Sequence, residues 1–315
     1  MVLRLHNLKL RRFVRSICVV ALMCCFDASL AAQEAVDYSK AVIHNQEGLR
    51  LFVDPEDTQP TLRIVLPGHP KTDGAIEVVF PEHVTVRKHD TAEAEHIYMW
   101  KPGHQGEPPA WRQDGQSLEY EKDFEDGIHM LARATLQDDG VLFHYEFANR
   151  SSTAYDLIWA PTDPRLTSIF HDVRLERTYV HHQDGFDLLA SETPGRLSMP
   201  LKQWLPARYM DSFTWPVPAQ RIEHRDDGIT YYNNPRAVDQ PLIATFSEDR
   251  KWVVASFSHS TGNVWSNPAL TCQHVDEESS LAPGGQAVLE VKILIFRGSL
   301  EQVLQKVITQ RGALK

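Results

Sequence analysis

Hydrophobic and polar residues alternate along many short segments of this chain. The clearest case runs from Gly140 to Asn149, where one set of alternating positions is apolar: Val141, Phe143, Tyr145 and Phe147. Successive side chains of a strand point to opposite faces, so this pattern predicts a half-buried strand entered through the turn Asp138-Asp139-Gly140. His144 and Glu146 would share the other face, either as the solvated side of a sheet or as a functional pair.

Two apolar runs, Pro241–Phe246 and Trp252–Phe257, flank the polar segment Ser247-Glu248-Asp249-Arg250. Their β-branched and aromatic residues suit a pleated, buried surface, and the polar linker suits a turn. The pattern predicts a β-hairpin. Beyond it, up to Glu277, the chain is rich in side chains able to bond, ligate or stack. This stretch is either a functional segment or a long loop whose polar side chains satisfy its own backbone.

Further strand-like runs follow the same rule. They are Thr61–Leu66, Ala75–Phe80, His83–Arg87, Leu118–Lys122, Gly127–Leu136, Tyr155–Ala160, Arg177–His182 and Ala287–Phe296. Residues 101–117 are rich in Pro and Gly and predict a long exposed loop. Leu300, Val303, Leu304 and Val307 recur at helical spacing after Ser299, which predicts one amphipathic helix with a serine N-cap. We therefore predict a mainly β protein, a large antiparallel β-sandwich with one C-terminal helix.

The first 31 residues have the pattern of an export signal. A cationic start is followed by the apolar run Ile17–Phe26, and Ser29-Leu30-Ala31 offers small residues before a cleavage point. The apolar run is too short to cross about 30 Å of hydrocarbon as a helix. We predict a signal peptide at 1–31, a single β-sandwich domain at 32–315, and a periplasmic or secreted protein with no membrane insertion after signal removal.

Charge and cysteine content narrow the possible partners. The chain has a formal net charge of −10, and removal of the cationic signal would leave it still more acidic, which argues against nucleic acid as a partner. Three of the four cysteines fall in the signal, leaving Cys272 alone, so no intramolecular disulfide is possible. We interpret Cys272 as a small packed residue rather than a nucleophile.

The sequence lacks a phosphate-binding glycine loop and the HExxH, CxxC and GxSxG patterns, which disfavours nucleotide hydrolysis and the usual peptidase chemistries. Two histidine-bearing segments remain, Arg177–His182 and Cys272–Asp276. His274 and Asp276 would point to one side of an extended chain, and a carboxylate beside an imidazole suits a general base. His181 and His182 face opposite sides of a strand, and we favour His182 for the site.

The candidate catalytic residues are therefore His182, His274, Asp276 and Arg177. The same imidazoles and carboxylate could instead ligate a divalent ion. Because the chain lacks the paired-histidine spacings that place two ligands on one element, we favour a metal-free proton-transfer site with no cofactor.

Aromatic residues in loop-like regions suggest sugar binding, because indole and phenol rings stack on the apolar faces of sugar rings while polar neighbours bond the hydroxyls. Loops on a β scaffold commonly carry binding residues. The candidate substrate-binding residues are Trp265, Asn267, Trp204, Trp215 and Arg208. Alternatively, the rings cover the ends of the core.

The segments NVWSNPALTCQHVD and LAPGGQAVLEVKILIFRGSLEQVL resemble exported bacterial proteins of mostly uncharacterised function. In these a similar loop precedes a Pro-Gly turn, a final strand and a helix. The β pattern and length also resemble the galactose-mutarotase-like supersandwich, found in aldose epimerases and in domains of polysaccharide lyases and glycoside hydrolases. This resemblance implies a carbohydrate partner.

Two functions follow from these patterns. The first is an exported carbohydrate-active enzyme of epimerase, lyase or hydrolase type. His182 and His274 would transfer protons, Asp276 would orient His274, Arg177 would neutralise an acidic group on the sugar, and Trp265 would stack on the ring. The alternative is a non-catalytic carbohydrate- or partner-binding module in which the histidines are structural.

Overall fold

The alternating segments of the sequence form strands in the computed structural model. The structure describes residues 42–54, 59–70, 75–99, 109–172, 176–189, 207–211, 222–224, 230–233, 236, 238–260, 264–266, 273–275 and 277–315. At positions 75, 207–211, 222–224, 230–233 and 265 the structure describes the backbone only. The segment predicted as an export signal lies outside these ranges, and the domain boundary after residue 31 stays a prediction.

The strands follow one another closely along the chain. The first twelve are β1 (Val42–His44), β2 (Arg50–Val53), β3 (Thr61–Val65), β4 (Ala75–Val79), β5 (His83–Lys88), β6 (Glu95–Tyr98), β7 (Arg112–Asp114), β8 (Ser117–Asp123), β9 (Ile128–Gln137), β10 (Gly140–Asn149), β11 (Tyr155–Trp159) and β12 (Asp163–Leu166). The others are β13 (Thr178–His182), β14 (Gly185–Leu188), β15 (Ala207–Asp211), β16 (Ile222–His224), β17 (Thr230–Asn233), β18 (Leu242–Phe246), β19 (Val253–Ser258), β20 (Val264–Ser266), β21 (Gln273–His274), β22 (Glu278–Leu281) and β23 (Gln286–Phe296).

These strands form four sheets. The first sheet has the order β1-β2-β3-β4-β12, and the second has the order β14-β13-β18-β19-β23-β10-β9-β8-β7. The third sheet runs β22-β11-β5-β6, and the fourth runs β16-β17-β15-β20-β21. Strands β15 and β17 pair in parallel, whereas the other pairings within the described ranges are antiparallel. The predicted mainly antiparallel β fold is confirmed.

A continuous apolar core joins the inner faces of the sheets. The predicted alternation of β10 is confirmed, since Val141, Phe143, Tyr145 and Phe147 are all buried. Phe80, which follows β4 of the first sheet, places its ring centroid 4.9 Å from that of Phe143 and 4.8 Å from that of Tyr145. Aromatic pairs at this spacing add to the stabilisation that burial provides. All described residues fall within one compact unit, Asp37–Lys315.

The predicted hairpin forms β18 and β19, which pair antiparallel from Leu242↔Phe257 to Phe246↔Val253. Its apolar runs are continuous because the hairpin is buried on both faces. Ile243 and Val254 face the main core, whereas Ala244 and Ala255 belong to a second, smaller apolar cluster.

One α-helix within the described ranges, α1 (Leu300–Gln310), completes that second cluster and confirms the predicted C-terminal helix. Val303 and Val307 are fully buried against Leu294, Ala255 and Phe257 of the second sheet. Short 3-10 helices occupy Ser168–Phe170 and Arg311–Ala313. None of the helices in the described ranges has the length and apolar character needed to cross a bilayer.

Ser299 caps the helix as predicted. Its Oγ accepts a hydrogen bond from the Gln302 backbone N–H at 3.4 Å, and the Gln302 Oε1 accepts one from the Ser299 N–H at 2.9 Å. This capping box satisfies two backbone donors that the helix itself leaves without partners. We expect Ser299→Ala to lower the free energy of unfolding by about 1 kcal/mol. Urea denaturation measures the change, with the exposed strand residue Ser280 replaced by alanine as a control that should stay near the wild-type value.

The prediction of an exposed loop over residues 101–117 is wrong in its second half. Arg112–Asp114 forms β7, which pairs with β8 in the register Asp114↔Ser117. Gly115 permits the tight two-residue turn between them with a φ of 54°. A short, polar edge strand of this kind shows no hydrophobic alternation, which is why the sequence pattern missed it.

Candidate functional site

The candidate site lies where two neighbouring stretches of chain pass from the first sheet to the third. Strand β4 pairs with β12 in the first sheet, and β5 pairs with β11 in the third. The connections β4–β5 and β11–β12 therefore run side by side, and the Glu82 N–H donates to the Pro161 carbonyl at 3.2 Å. This arrangement brings together the first residues of two strands, His83 of β5 and Asp163 of β12.

Asp163 is a buried carboxyl group beside a buried imidazole. Both Asp163 and His274 are about 1% exposed, and the His274 Nε2 lies 3.8 Å from the Asp163 Oδ1. The other carboxyl oxygen accepts a hydrogen bond from Arg165 Nε at 3.3 Å. Burial raises the pKa of Asp163 to about 7, although the charges of His274 and Arg165 oppose the rise. This carboxyl group therefore keeps its proton to a higher pH than an ordinary aspartate does.

His83 is the neighbour of this pair that reaches the surface, with 13% of its side chain exposed. Burial, followed by the positive charges of His96 and His274, lowers the pKa of His83 to about 3. Its ring is therefore uncharged at neutral pH, with one nitrogen able to donate a hydrogen bond and the other able to accept one. Both ring nitrogens are buried, and neither has a hydrogen-bond partner among the described residues.

Aromatic and imidazole rings cover the outer face of the third sheet next to His83. Val84 and Val86 of β5 point into the core, so His83 and Thr85 share the opposite face of the strand. On that face, Thr85 lies opposite His96 of β6 and Trp159 of β11, and His83 lies opposite Tyr98 of β6. The His83 ring centroid is 4.5 Å from that of His96, 5.7 Å from Tyr98 and 5.8 Å from Trp159. We call His83, His96, Tyr98 and Trp159 the ring surface.

The polar groups of the ring surface are partly fixed. The Thr85 Oγ1 lies 2.7 Å from the His96 Nδ1, within hydrogen-bond distance. Tyr98 is 49% exposed, and Trp159 is partly buried. The surface therefore offers apolar ring faces and hydrogen-bonding groups side by side, above the buried Asp163–His274 pair.

His274, which the sequence singled out, lies on β21 of the fourth sheet, and this strand packs against β12. Its carboxyl neighbour within the described ranges is Asp163. Asp276, the predicted partner, lies outside the described residues.

The other half of the predicted pair, His182, lies in a different sheet. His181 points to Asp239, with 2.6 Å between Nδ1 and Oδ1, while His182 is 1% exposed on β13. Strand β21 contacts the second sheet through Gln273, whose Nε2 donates to the Thr245 Oγ1 at 3.2 Å. Thr245 lies opposite Thr178, the first residue of β13. His182 is roughly 13 Å further along β13. The convergence of His182 with His274 stays a prediction.

Arg177 is engaged with its own surroundings. Its guanidinium donates to the backbone carbonyls of Phe246 at 2.6 Å and His171 at 2.6 Å, and its Nε lies 3.7 Å from the Asp172 Oδ1. These contacts tie the start of β13 to the end of β18. The geometry therefore favours a structural role for this arginine.

The predicted substrate-binding residues are only partly described. The backbone register places Trp265 of β20 opposite His274 and next to Met210 of β15, two residues from Arg208. Trp204, Trp215 and Asn267 lie outside the described residues, as does Cys272. Their predicted contact with a substrate stays a prediction.

A second imidazole–carboxylate group lies on the outer face of the second sheet. His144 Nδ1 is 2.7 Å from Glu290 Oε1, and its Nε2 is 2.9 Å from Glu146 Oε1. Burial lowers the pKa of His144, but the hydrogen bonds that its ring donates to the two carboxylates outweigh this effect, so the pKa is raised. His144 and Glu146 do project together, and their mutual bonds suit an ionic surface of the sheet.

Sequence reasoning missed Asp163, His96, Tyr98 and Trp159. The alternation of His83–Arg87 was recognised, and it does place His83 on the polar face of a strand. Its neighbours come from β6, β11 and β21, and the partners of a strand cannot be read from its own pattern. Within the described parts of the chain, no group of three or more His, Cys, Asp or Glu side chains is arranged to hold a metal ion.

The described fold and site define a mainly antiparallel β protein with a buried carboxyl–imidazole pair beneath a ring surface. No family model matches the chain, and no curated protein matches it either. Solved structures that are similar to the chain at low identity include the galactose mutarotase-like protein from Lactobacillus casei ATCC 334, with 10% identity, a TM-score of 0.45, and coverage of 81% of this chain and 99% of that one.

Two further solved structures give similar values. Slr1438 protein from Synechocystis sp. PCC 6803 is 11% identical, with a TM-score of 0.46, over 82% of this chain and 95% of that one. The alpha-N-acetylgalactosaminidase NagBb from Bifidobacterium bifidum is 11% identical, with a TM-score of 0.46, over 86% of this chain and 39% of that one.

Proposed function

We propose that this protein is an exported carbohydrate-active enzyme that transfers a proton on a sugar, with its site at the ring surface and the Asp163–His274 pair beneath it. The observation that carries the proposal is a buried carboxyl group with a pKa of about 7, placed 3.8 Å from a buried imidazole and next to the ring surface. A proton-transfer group is most effective when its pKa lies near the working pH.

His83 is the member of this group nearest the surface, and a sugar would have to reach one of its two buried ring nitrogens. Its neutral ring can accept a proton at one nitrogen while it donates a proton from the other, so it can relay a proton without accumulating charge. Asp163 and His274 would then act through His83, exchanging the proton that the sugar gains or loses. A neutral imidazole also suits a hydrogen-bond donor to an oxygen on which negative charge develops.

The ring surface supplies the sugar-binding part of the proposal. The exposed ring of Tyr98 and the partly buried indole of Trp159 would stack on the apolar faces of a sugar. His96 and Thr85 would bond its hydroxyl groups. Sites for small ligands commonly combine such apolar rings with a few well-placed polar groups.

A second candidate function is a non-catalytic carbohydrate-binding module. The burial of Asp163 and His274, each about 1% exposed, favours it, because neither group is directly open to a ligand. In that case the ring surface alone would bind the sugar, and the buried pair would be structural.

One set of assays distinguishes the enzyme from the binding module. The probes are anomerisation of D-glucose and D-galactose by polarimetry, release of nitrophenol from nitrophenyl glycosides, and ultraviolet absorbance of the unsaturated products of polyuronates. We expect His83→Ala and His274→Ala to lower turnover by about 10²- to 10⁴-fold while sugar affinity is retained. Tyr98→Ala should instead weaken sugar binding.

His89→Ala is the matched control, because His89 and Asp156 form an exposed imidazole–carboxylate pair at 2.9 Å close to the same sheet. It should leave turnover unchanged. Sugar binding that depends on Tyr98 and Trp159, with no turnover by the wild-type protein on any probe, would establish the binding module instead. Turnover that survives in a folded His274→Ala variant would show that this site is not the one used.

A further inference from the structure

A cleft of about 560 Å³ lies at a meeting point of turns that the proposed carbohydrate site does not use. Four turns contribute to its wall: β1–β2 with Glu47, β3–β4 with Pro67, β9–β10 with Asp138 and β18–β19 with Trp252. The connection from β23 to α1 adds Arg297. Its volume falls within the range of pockets that hold small molecules.

Hydrogen bonds hold these turns in place. The Asn45 Nδ2 donates to the carbonyls of Gln137 at 2.8 Å and Asp138 at 3.1 Å, which ties the β1–β2 turn to the β9–β10 turn. The Asn45 Oδ1 accepts from the Leu49 N–H at 2.8 Å. The Ile295 N–H donates to the Asp139 carbonyl at 2.8 Å, fixing the same turn to β23. The cleft is therefore preformed, which lowers the entropic cost of binding.

Arg297 is placed as a receptor for an anionic group. Its guanidinium carbon lies 4.6 Å from the centre of the Trp252 ring, and the residue is exposed. Stacking on a ring fixes the guanidinium while its N–H donors still point outward in their own plane, the geometry that binds a carboxylate with two hydrogen bonds. Within the described ranges no carboxylate forms an ion pair with Arg297.

A second cation, Lys306, lines the same cleft and adds to its positive potential. Asp139 is bound by two lysines, with the Lys292 Nζ 3.0 Å from its Oδ1 and the Lys306 Nζ 2.7 Å from its Oδ2. Gln310 also donates to Oδ2 at 2.8 Å. Two lysines around one carboxylate leave an excess positive charge, so Asp139 does not compete for Arg297.

Two carboxylates add negative charge to the wall of the cleft. Glu47 and Asp138 are exposed on adjacent turns, and neither forms an ion pair with a cation among the described residues. They would repel a ligand that carries only negative charge and attract an ammonium group. Between these charges the lining is apolar, from Leu49, Ile295 and Phe296.

We propose that this cleft binds a small zwitterion, an amino acid or dipeptide with an apolar side chain. Its carboxylate would pair with Arg297, its ammonium group with Asp138 and Glu47, and its side chain would lie on the apolar lining. This site is separate from the proposed carbohydrate site, and neither proposal depends on the other.

Isothermal titration of the full chain tests the proposal with L-leucine, L-phenylalanine and glycyl-L-phenylalanine as probes. Each is compared with its N-acetylated form, which lacks the cation, and with its amide, which lacks the anion. We expect saturable binding of at least one zwitterion and an affinity about tenfold lower for both capped forms. Arg297→Gln should lower the affinity about tenfold or more, and Arg297→Lys should lower it less.

Arg250→Gln is the matched control, because Arg250 also lies over an aromatic ring, 5.8 Å from the centre of Phe246, but outside the cleft. It should bind as the wild type does, and circular dichroism confirms that each variant is folded. The proposal is overturned if no zwitterion of the panel binds at millimolar concentration. It is equally overturned if the N-acetylated forms bind as tightly as the parent compounds, or if folded Arg297→Gln retains full affinity.

Discussion

Replacing Asp163 by asparagine is expected to stabilise the protein above neutral pH while it removes the proposed proton-transfer activity. The pKa of Asp163 is about 7 in the folded protein, against an ordinary value of 3.8. Folding therefore favours the protonated carboxyl group, and the stability it contributes is lost as the pH rises from about 4 to about 7. Asparagine resembles the protonated form at every pH and escapes this loss, which is at most about 4 kcal/mol.

Urea denaturation at a series of pH values measures this effect. The difference in unfolding free energy between Asp163→Asn and the wild type should be small near pH 4, grow up to about pH 7 and then stay level. Asp156→Asn, at a carboxylate that is 44% exposed, is the control and should show no such growth. If the Asp163→Asn variant is less stable than the wild type at pH 8, the carboxylate is ionised and well paired in the folded state.

His83 makes the stability depend on pH in the opposite direction from Asp163. Its folded pKa of about 3 lies below its ordinary value of 6.5, so its contribution to stability is present above about pH 6.5 and lost as the pH falls toward 3. The two groups oppose each other over most of this interval. A buried group that opposes folding when it is charged lowers the stability of the protein. Natural proteins tend to retain such groups at functional sites.

Much of the fold could be predicted because its signals are local. The alternation of β10 and the apolar runs of β18 and β19 lie within single segments. Helix α1 likewise carries its periodicity and its Ser299 cap within a few residues. Strands β6 and β7 escaped prediction because each is a short, largely exposed edge strand.

Of the residues in the candidate site, the sequence singled out only His274, and its role stays a prediction. Its neighbours Asp163 and His83 lie far away in the sequence and come together through two adjacent connections between sheets. That arrangement depends on which strands pair, and no single segment encodes it. The charge of Arg177 suggested ligand binding, but only the fold reveals that backbone carbonyls already occupy its donors.

Replacing Asp139 by asparagine is expected to destabilise the protein by about 3–5 kcal/mol, because it leaves Lys292 as a buried cation without its counter-ion. The Lys292 side chain is 2% exposed and lies 3.0 Å from Asp139, which is 21% exposed. Burial raises the pKa of Asp139, but the bonds from Lys306, Gln310 and Lys292 outweigh it and lower the pKa to about 2. The stability that Asp139 provides is therefore lost as the pH falls from about 4 to about 2.

Burial lowers the pKa of Lys292 more than Asp139 raises it, so the two partners shift in conflicting senses. The contact distance and the second lysine on Asp139 favour a charged pair at neutral pH. A double-mutant cycle tests whether the pair is charged. If the loss of stability in Asp139→Asn arises from the buried charge of Lys292, adding Lys292→Met should restore most of that stability. A loss that persists unchanged in the double variant would instead place the role of Asp139 in its bonds to α1, through Lys306 and Gln310.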